Sequence, residues 1–187
     1  IDLESPFPNT IPTKKQFEEN CRKLGISDNH TIIIYDNRGI YTSPRVWWLF
    51  KTMGHNSVFV LNGGLPSWKY NKYETSTLKT ENDTLGEFKS NLLKDRIRSY
   101  EDILQLSQNK NTVILDARSE GRFNGNEVEP RPEIKSGCIP NSQNLPYKKV
   151  LKNGYYKSKE ELNEIFQQLN LGKDQQLIFS CGSGITA

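Results

Sequence analysis

The residues best suited to chemistry in this chain form one short loop, Cys181-Gly182-Ser183-Gly184-Ile185-Thr186. It follows directly on an apolar run, 176–180, that has the length of a buried strand. In α/β sheets ligands bind at the carboxyl ends of strands. Two glycines let a backbone curl until successive N–H groups point inward, and such a nest binds anions. A cysteine in that cradle is held as a thiolate and becomes a nucleophile. The same amides would stabilise a persulfide anion on it, as an oxyanion hole stabilises oxygen. A lone cysteine at a strand end is otherwise a structural residue, and the glycine spacing is what favours the reactive reading.

A second stretch, DARSEGRFNGNEVEPRP over 116–132, begins at the end of another apolar run and is rich in Gly, Pro and charge. It reads as a loop on the same sheet edge. Arg122 and Arg131 each offer a planar fork matched to a carboxylate. Loop arginines are more often solvated or paired with nearby acids, and Glu120, Glu127 and Glu129 are within reach in sequence. Asp116 and Arg118 read as a buried pair that fixes the loop.

The elements that must hold these residues are written twice. Residues 13–40 overlay residues 158–185 without a gap. In both copies a Thr or Ser (Thr13, Ser158) precedes an amphipathic segment, with Gln16 or Glu161 three residues later, the pattern of a capping box. Phe17, Cys21 and Leu24 mark one helical face; Leu162, Ile165, Phe166 and Leu169 mark its counterpart. Each helix is followed by a short continuous apolar run, 31–35 or 176–180, expected to be a parallel strand buried on both faces. The alignment sets Asp36 opposite Cys181, so only the second copy carries a thiol at this place. The first copy continues with Ser43 as N-cap and Pro44 at the first helical turn, an apolar face of Val46, Trp47 and Phe50, a strand over 57–61, the turn Asn62-Gly63-Gly64 and the segment LPSW. Continued at the same offset, the second copy is expected to run on for at least about 30 residues that this chain lacks, with a helix after the Cys181 loop.

The 187 residues suffice for two small α/β units. The expected division is 1–75, a polar linker over 76–98 with one short extended piece near 87–90, and 99–187. The chain opens on Ile1, its only Met is Met53, and it stops soon after Cys181, so both ends read as cut. Charged residues are 25% and hydrophobic ones 34%, with a net charge of +3 spread along the chain. That is a globular composition with neither a nucleic-acid groove nor a polybasic membrane arm. No apolar run reaches the roughly 20 residues of a membrane span. Three widely spaced cysteines, Cys21, Cys138 and Cys181, fit a reducing compartment, cytoplasmic or mitochondrial.

DARSEGRF, EPRP and CGSGIT, in that order, resemble the catalytic domain of the two-domain rhodanese family that includes the 3-mercaptopyruvate sulfurtransferases. SPRVWWLFKTMGH and LNGGLPSW resemble the inactive first domain of the same family. The resemblance covers essentially the whole chain. It implies tandem rhodanese-like domains, each a parallel sheet with helices on both faces, and an active site at their interface. It further implies that Cys181 carries sulfane sulfur, that Arg122 and Arg131 hold the substrate carboxylate, and that Gly182, Gly184, Ile185 and Thr186 line the pocket. Asp2 and Ser183 match family residues proposed to act on the proton. The expected reaction takes sulfur from 3-mercaptopyruvate and passes it to a thiol such as a thioredoxin or a small thiol, with no metal and no organic cofactor. Thiosulfate-using relatives carry two cationic residues after the cysteine; here Gly182 and Ser183 are neutral, which suits a monoanionic keto acid.

Three departures stand out. Asn9 occupies the place where the family has a His, so a Ser183–His–Asp relay is in question. Cys138 replaces another family His and reads as structural, with a lesser redox reading. The helix expected after the Cys181 loop is not in this chain. Rival readings are thiosulfate as main donor, a silent rhodanese module used for binding, and a cysteine phosphatase; the last requires an arginine where Ala187 stands.

Overall fold

The computed structural model describes residues 1–78, 84–131 and 134–187. Positions 79–83 of the expected linker, and Pro132 of the EPRP motif, lie outside the described residues. The chain divides into two compact units, Ile1–Ile97 and Arg98–Ala187.

In the first unit α1 (Lys14–Lys23) leads to β1 (Ile32–Ile34), α2 (Ser43–Thr52), β2 (Val58–Val60) and α3 (Gly64–Tyr70). The α1 start follows the capping-box reading: the Gln16 amide donates to Thr13 Oγ1 at 3.2 Å and the Thr13 amide donates back to Gln16 Oε1 at 2.8 Å. β1 and β2 pair in parallel, Ile32 against Val58 and Ile34 against Val60. The core gathers Phe17, Cys21, Leu49, Phe50, Met53, Val58 and Phe88. Phe17 and Phe50 meet edge to face with centroids 5.0 Å apart. Leu24, expected on the buried face of α1, instead caps its C-terminus and is exposed.

Two further expectations change here. α2 is capped by Thr42 rather than Ser43, and Thr42 makes no side-chain cap bond, because both hydroxyls turn to Asp36. The second half of the expected linker belongs to the first unit. Phe88 is fully buried in its core, Arg22 Nε donates to the Phe88 carbonyl at 2.9 Å, and the Ser90 amide donates to Glu18 Oε1 at 2.7 Å. Polar composition made 84–93 look like a connector, but one phenylalanine carries enough apolar surface to anchor it. No strand forms near 87–90; the extended piece bonds to side chains and loops.

In the second unit α4 (Tyr100–Leu106) precedes β3 (Thr112–Asp116), α5 (Glu120–Phe123), β4 (Ser142–Asn144), a small hairpin of β5 (Leu151–Lys152) and β6 (Tyr155–Tyr156), α6 (Lys159–Gln168) and β7 (Gln176–Ser180). The sheet runs β4-β3-β7, all parallel, with Asp116 opposite Ser180. β3 is central and buried from Val113 to Asp116. Val113, Leu115 and Leu145 pack against Ile165, Phe166 and Leu169 beside α6. α6 opens on the expected Ser158–Glu161 capping box.

Burial on both strand faces holds for β3 only. Ile33 and Phe59 in the first sheet and Leu177 and Phe179 in β7 remain exposed. They alternate with the buried Val58 and Ile178, as the period of two requires. Leu177 and Phe179 share a face with Val113 and Leu115, but β7 lies at the edge of its sheet among the described residues and α6 packs over β3.

Candidate active site

Because β3 and β7 are neighbours in register, the loops leaving Asp116 and Ser180 emerge side by side at the carboxyl edge of the sheet; the Ala117 amide donates to the Ser180 carbonyl at 2.8 Å. Cys181 is the first residue beyond β7 and is half-buried. Gly184, in the left-handed region with φ 71, turns the chain back so that its amide donates to Cys181 Sγ at 3.0 Å. Burial pushes the Cys181 thiol up, but the amides of Thr186, Ser183 and Ala187 and the Thr186 hydroxyl outweigh it and hold the pKa below the ordinary thiol value. Ser183, Ile185 and Thr186 are half-buried around the sulfur. The donors around the sulfur are mostly backbone amides.

The corresponding loop of the first unit makes the same cradle around a carboxylate. Gly39 repeats the left-handed turn with φ 90. Asp36 accepts from the amides of Tyr41 (2.8 Å), Thr42 (3.0 Å) and Ser43 (2.8 Å) and from the hydroxyls of Ser43 (2.7 Å) and Thr42. Burial raises its pKa, yet these donors bring it down to about 2. α3 closes over this loop: the Leu65 amide donates to the Asp36 carbonyl at 2.8 Å, and a Cβ on Gly64 would collide with that carbonyl oxygen.

Beside the Cys181 loop lies a chain of four charges, two buried carboxylates and two half-buried guanidiniums. Arg118 Nε donates to both Asp116 carboxylate oxygens at 3.0 Å, and its Nη1 donates to Glu129 Oε1 at 2.6 Å. Glu129 Oε2 in turn accepts from Arg122 Nε at 3.0 Å and from Arg122 Nη2. The Arg122 hydrogen bonds lead the donors that hold the Glu129 carboxyl below the usual range, against the upward push of burial. The Asp116–Arg118 pair is the buried loop-fixing pair expected from sequence. Glu129 is the residue sequence reasoning left among several possible partners; what singles it out is burial, at 5% exposure. Arg122 reaches the cysteine loop directly, since a Cβ on Gly182 would collide with Arg122 Nη2. Glycine at 182 is therefore what lets the guanidinium lie there.

Arg131 is half-buried, and among the described residues it has no ion pair. Asp2 lies in the first unit, where its Oδ1 accepts from Gln16 Nε2 at 2.9 Å and from the Glu4 amide at 3.0 Å; Gln16 leads in holding its carboxyl below the ordinary value. Asn9 has φ 59, a left-handed conformation Asn tolerates, and its carbonyl accepts from Arg45 Nη2 at 2.8 Å. Cys138 is exposed, next to Gly137, whose carbonyl accepts from Arg118. Cys21 is buried and its thiol is pushed up to about 12, burial being the main cause. Among the described residues no three His, Cys, Asp or Glu side chains gather as metal ligands, and no helix is long and apolar enough to cross a membrane.

A parallel sheet read twice, with a backbone cradle at the carboxyl end of one strand in each copy, defines a class. The chain belongs to the rhodanese-like domain family, which matches residues 3–71 and again 99–187. Within that family it is similar to the 3-mercaptopyruvate sulfurtransferase of Mus musculus, 36% identical over 189 residues, covering 100% of this chain and 63% of the relative. It is also similar to the thiosulfate sulfurtransferase of Cricetulus griseus, 35% identical over 192 residues and covering 64% of that protein. The crystal structure of SseA from Escherichia coli, a 3-mercaptopyruvate sulfotransferase of the rhodanese fold, superposes with a TM-score of 0.87 at 31% identity, over 99% of this chain and 69% of that one. The chain thus spans somewhat less than two thirds of the mouse and hamster relatives it matches.

Proposed function

We propose that this chain carries the sulfur-transfer centre of a 3-mercaptopyruvate sulfurtransferase, with Cys181 as the nucleophile. The observation that carries the reading is the Cys181 thiol itself, drawn toward the thiolate by loop amides with the Arg122 guanidinium beside the loop. The Cys181 thiolate attacks the sulfur of 3-mercaptopyruvate. An S–S bond forms as the S–C bond breaks; the electron pair leaves on carbon as the pyruvate enolate, which takes up a proton. Arg122 and Arg131 bind the donor carboxylate, and Gly182, Gly184, Ile185 and Thr186 wall the pocket. By the family resemblance, Ser183 and Asp2 would act on the proton. An acceptor thiolate, from a thioredoxin or a small thiol in a reducing compartment, then attacks the outer sulfur and restores Cys181. The chemistry proceeds on side chains and amides alone, with no step that calls for a metal or an organic cofactor.

Similarity to relatives of both names at nearly equal identity makes thiosulfate a second candidate donor. The test is the intact mass of the chain after brief exposure to 3-mercaptopyruvate, with thiosulfate in parallel and peptide mapping of the product. Gain of one sulfur on Cys181, faster from 3-mercaptopyruvate, is the expected result. Faster gain from thiosulfate would reverse the donor assignment, and no gain from either would support the silent-module reading.

A further inference from the structure

The four charges beside the Cys181 loop balance in sign: Asp116 and Glu129 are buried carboxylates, Arg118 and Arg122 half-buried guanidiniums. The Glu129 side chain is 2% exposed, so solvent does little to screen it. It takes Arg122 by the Nε–Nη2 side. The outer end of the guanidinium, Nη1 with the second Nη2 hydrogen, is thereby left as the edge that can serve a ligand. The fork beside the sulfur thus has its direction fixed and much of its charge offset from behind. We propose that Glu129 sets the donor preference of the site, its buried carboxylate reducing the positive potential at Cys181 to a level that suits a singly charged donor and disfavours a doubly charged one. This rests on the sulfur-transfer reading for its substrates, though not for its electrostatics.

Removing the charge that lies directly behind the Arg122 fork should change the binding of each unit of ligand charge by on the order of fivefold. On the full chain, Glu129→Gln should therefore raise the ratio of kcat/KM for thiosulfate over 3-mercaptopyruvate by about fivefold. It should raise the ratio of Cys181 alkylation rates by iodoacetate over iodoacetamide by a similar factor, since the two reagents differ by one negative charge. Glu129→Asp keeps the charge and shortens the arm, so both ratios should stay within about twofold of the parent. A merely structural role would slow every reaction together and leave the ratios of the Gln variant unchanged, which overturns the proposal. So does a shift of the ratios in the Asp variant, because it assigns the effect to geometry. If the Gln variant does not fold, Glu129→Ala, which also removes the charge, takes its place with the same rise expected in both ratios. If neither donor loads sulfur on the parent chain, the sulfur-transfer reading falls, while the alkylation ratio still reads the charge that Glu129 imposes.

Discussion

Asp36 and Cys181 stand at equivalent places in the two units, just past a parallel strand and followed by a glycine in the left-handed region. Around Asp36 three amides and two hydroxyls converge on one carboxylate. Around Cys181 the amides meet a single larger, softer sulfur, to which the Gly184 amide donates at 3.0 Å. The two loops share the backbone trick and differ in what fills it. A carboxylate with two oxygens takes up five donors and pins the loop; a single sulfur offers them one atom. An anion cradle is thus a stability device in one unit and a candidate reactive centre in the other, and the side chain at one position decides which.

The sharpest way to break that contrast is Cys181→Ser. The hydroxyl stays protonated at neutral pH, so sulfur loading, followed by intact mass, should be lost entirely. Next comes Arg122→Ala. Loss of a charged hydrogen bond should lower kcat/KM for 3-mercaptopyruvate by an amount worth about 1.5–3 kcal/mol, and Arg131→Ala should act in the same direction. Normal turnover in both variants would sink the carboxylate assignment.

On the Asp36 side the expected effect is on stability. The folded pKa of about 2 lies below the ordinary aspartate value of 3.8, so the carboxylate stabilises the fold above about pH 4 and that contribution fades as pH falls toward 2. Asp36→Asn should cost about 1–2 kcal/mol in urea unfolding at pH 7 and lose less further stability than the parent between pH 4 and 2. The smallest effect is expected for Thr186→Val, which removes one donor to the sulfur. The rate of Cys181 alkylation rises with pH through the thiol pKa; its midpoint should lie below that of an unperturbed thiol, near 8.5, and move up in the variant.

Much of this was legible in the order of residues. Thr13 with Gln16 and Ser158 with Glu161 announce helix starts because capping is local, decided within four residues. The Cys181 loop was legible for the same reason, since two glycines and a preceding strand determine where its amides can point. Glu129 was not singled out, because three acids near Arg122 look alike in sequence and only the fold decides which one is buried. The stretch 84–93 was misjudged for a related reason: Phe88 packs against Phe17 and Phe50, a contact between residues far apart in the chain. The exposed Ile33, Phe59, Leu177 and Phe179 show the limit of reading apolar runs, since a run that suits a central, fully covered strand looks the same in a strand at the edge of its sheet.

Asp36 can also be regarded as a ligand that never leaves. Tethered by its own backbone, its carboxylate meets the amides of Tyr41, Thr42 and Ser43 at an effective concentration that no dissolved anion approaches. The first unit should therefore ignore sulfite, thiosulfate or phosphate at any ordinary level, because its anion site is already occupied from within. Any anion titration of the whole chain then reports on the second unit's cradle without competition from the first.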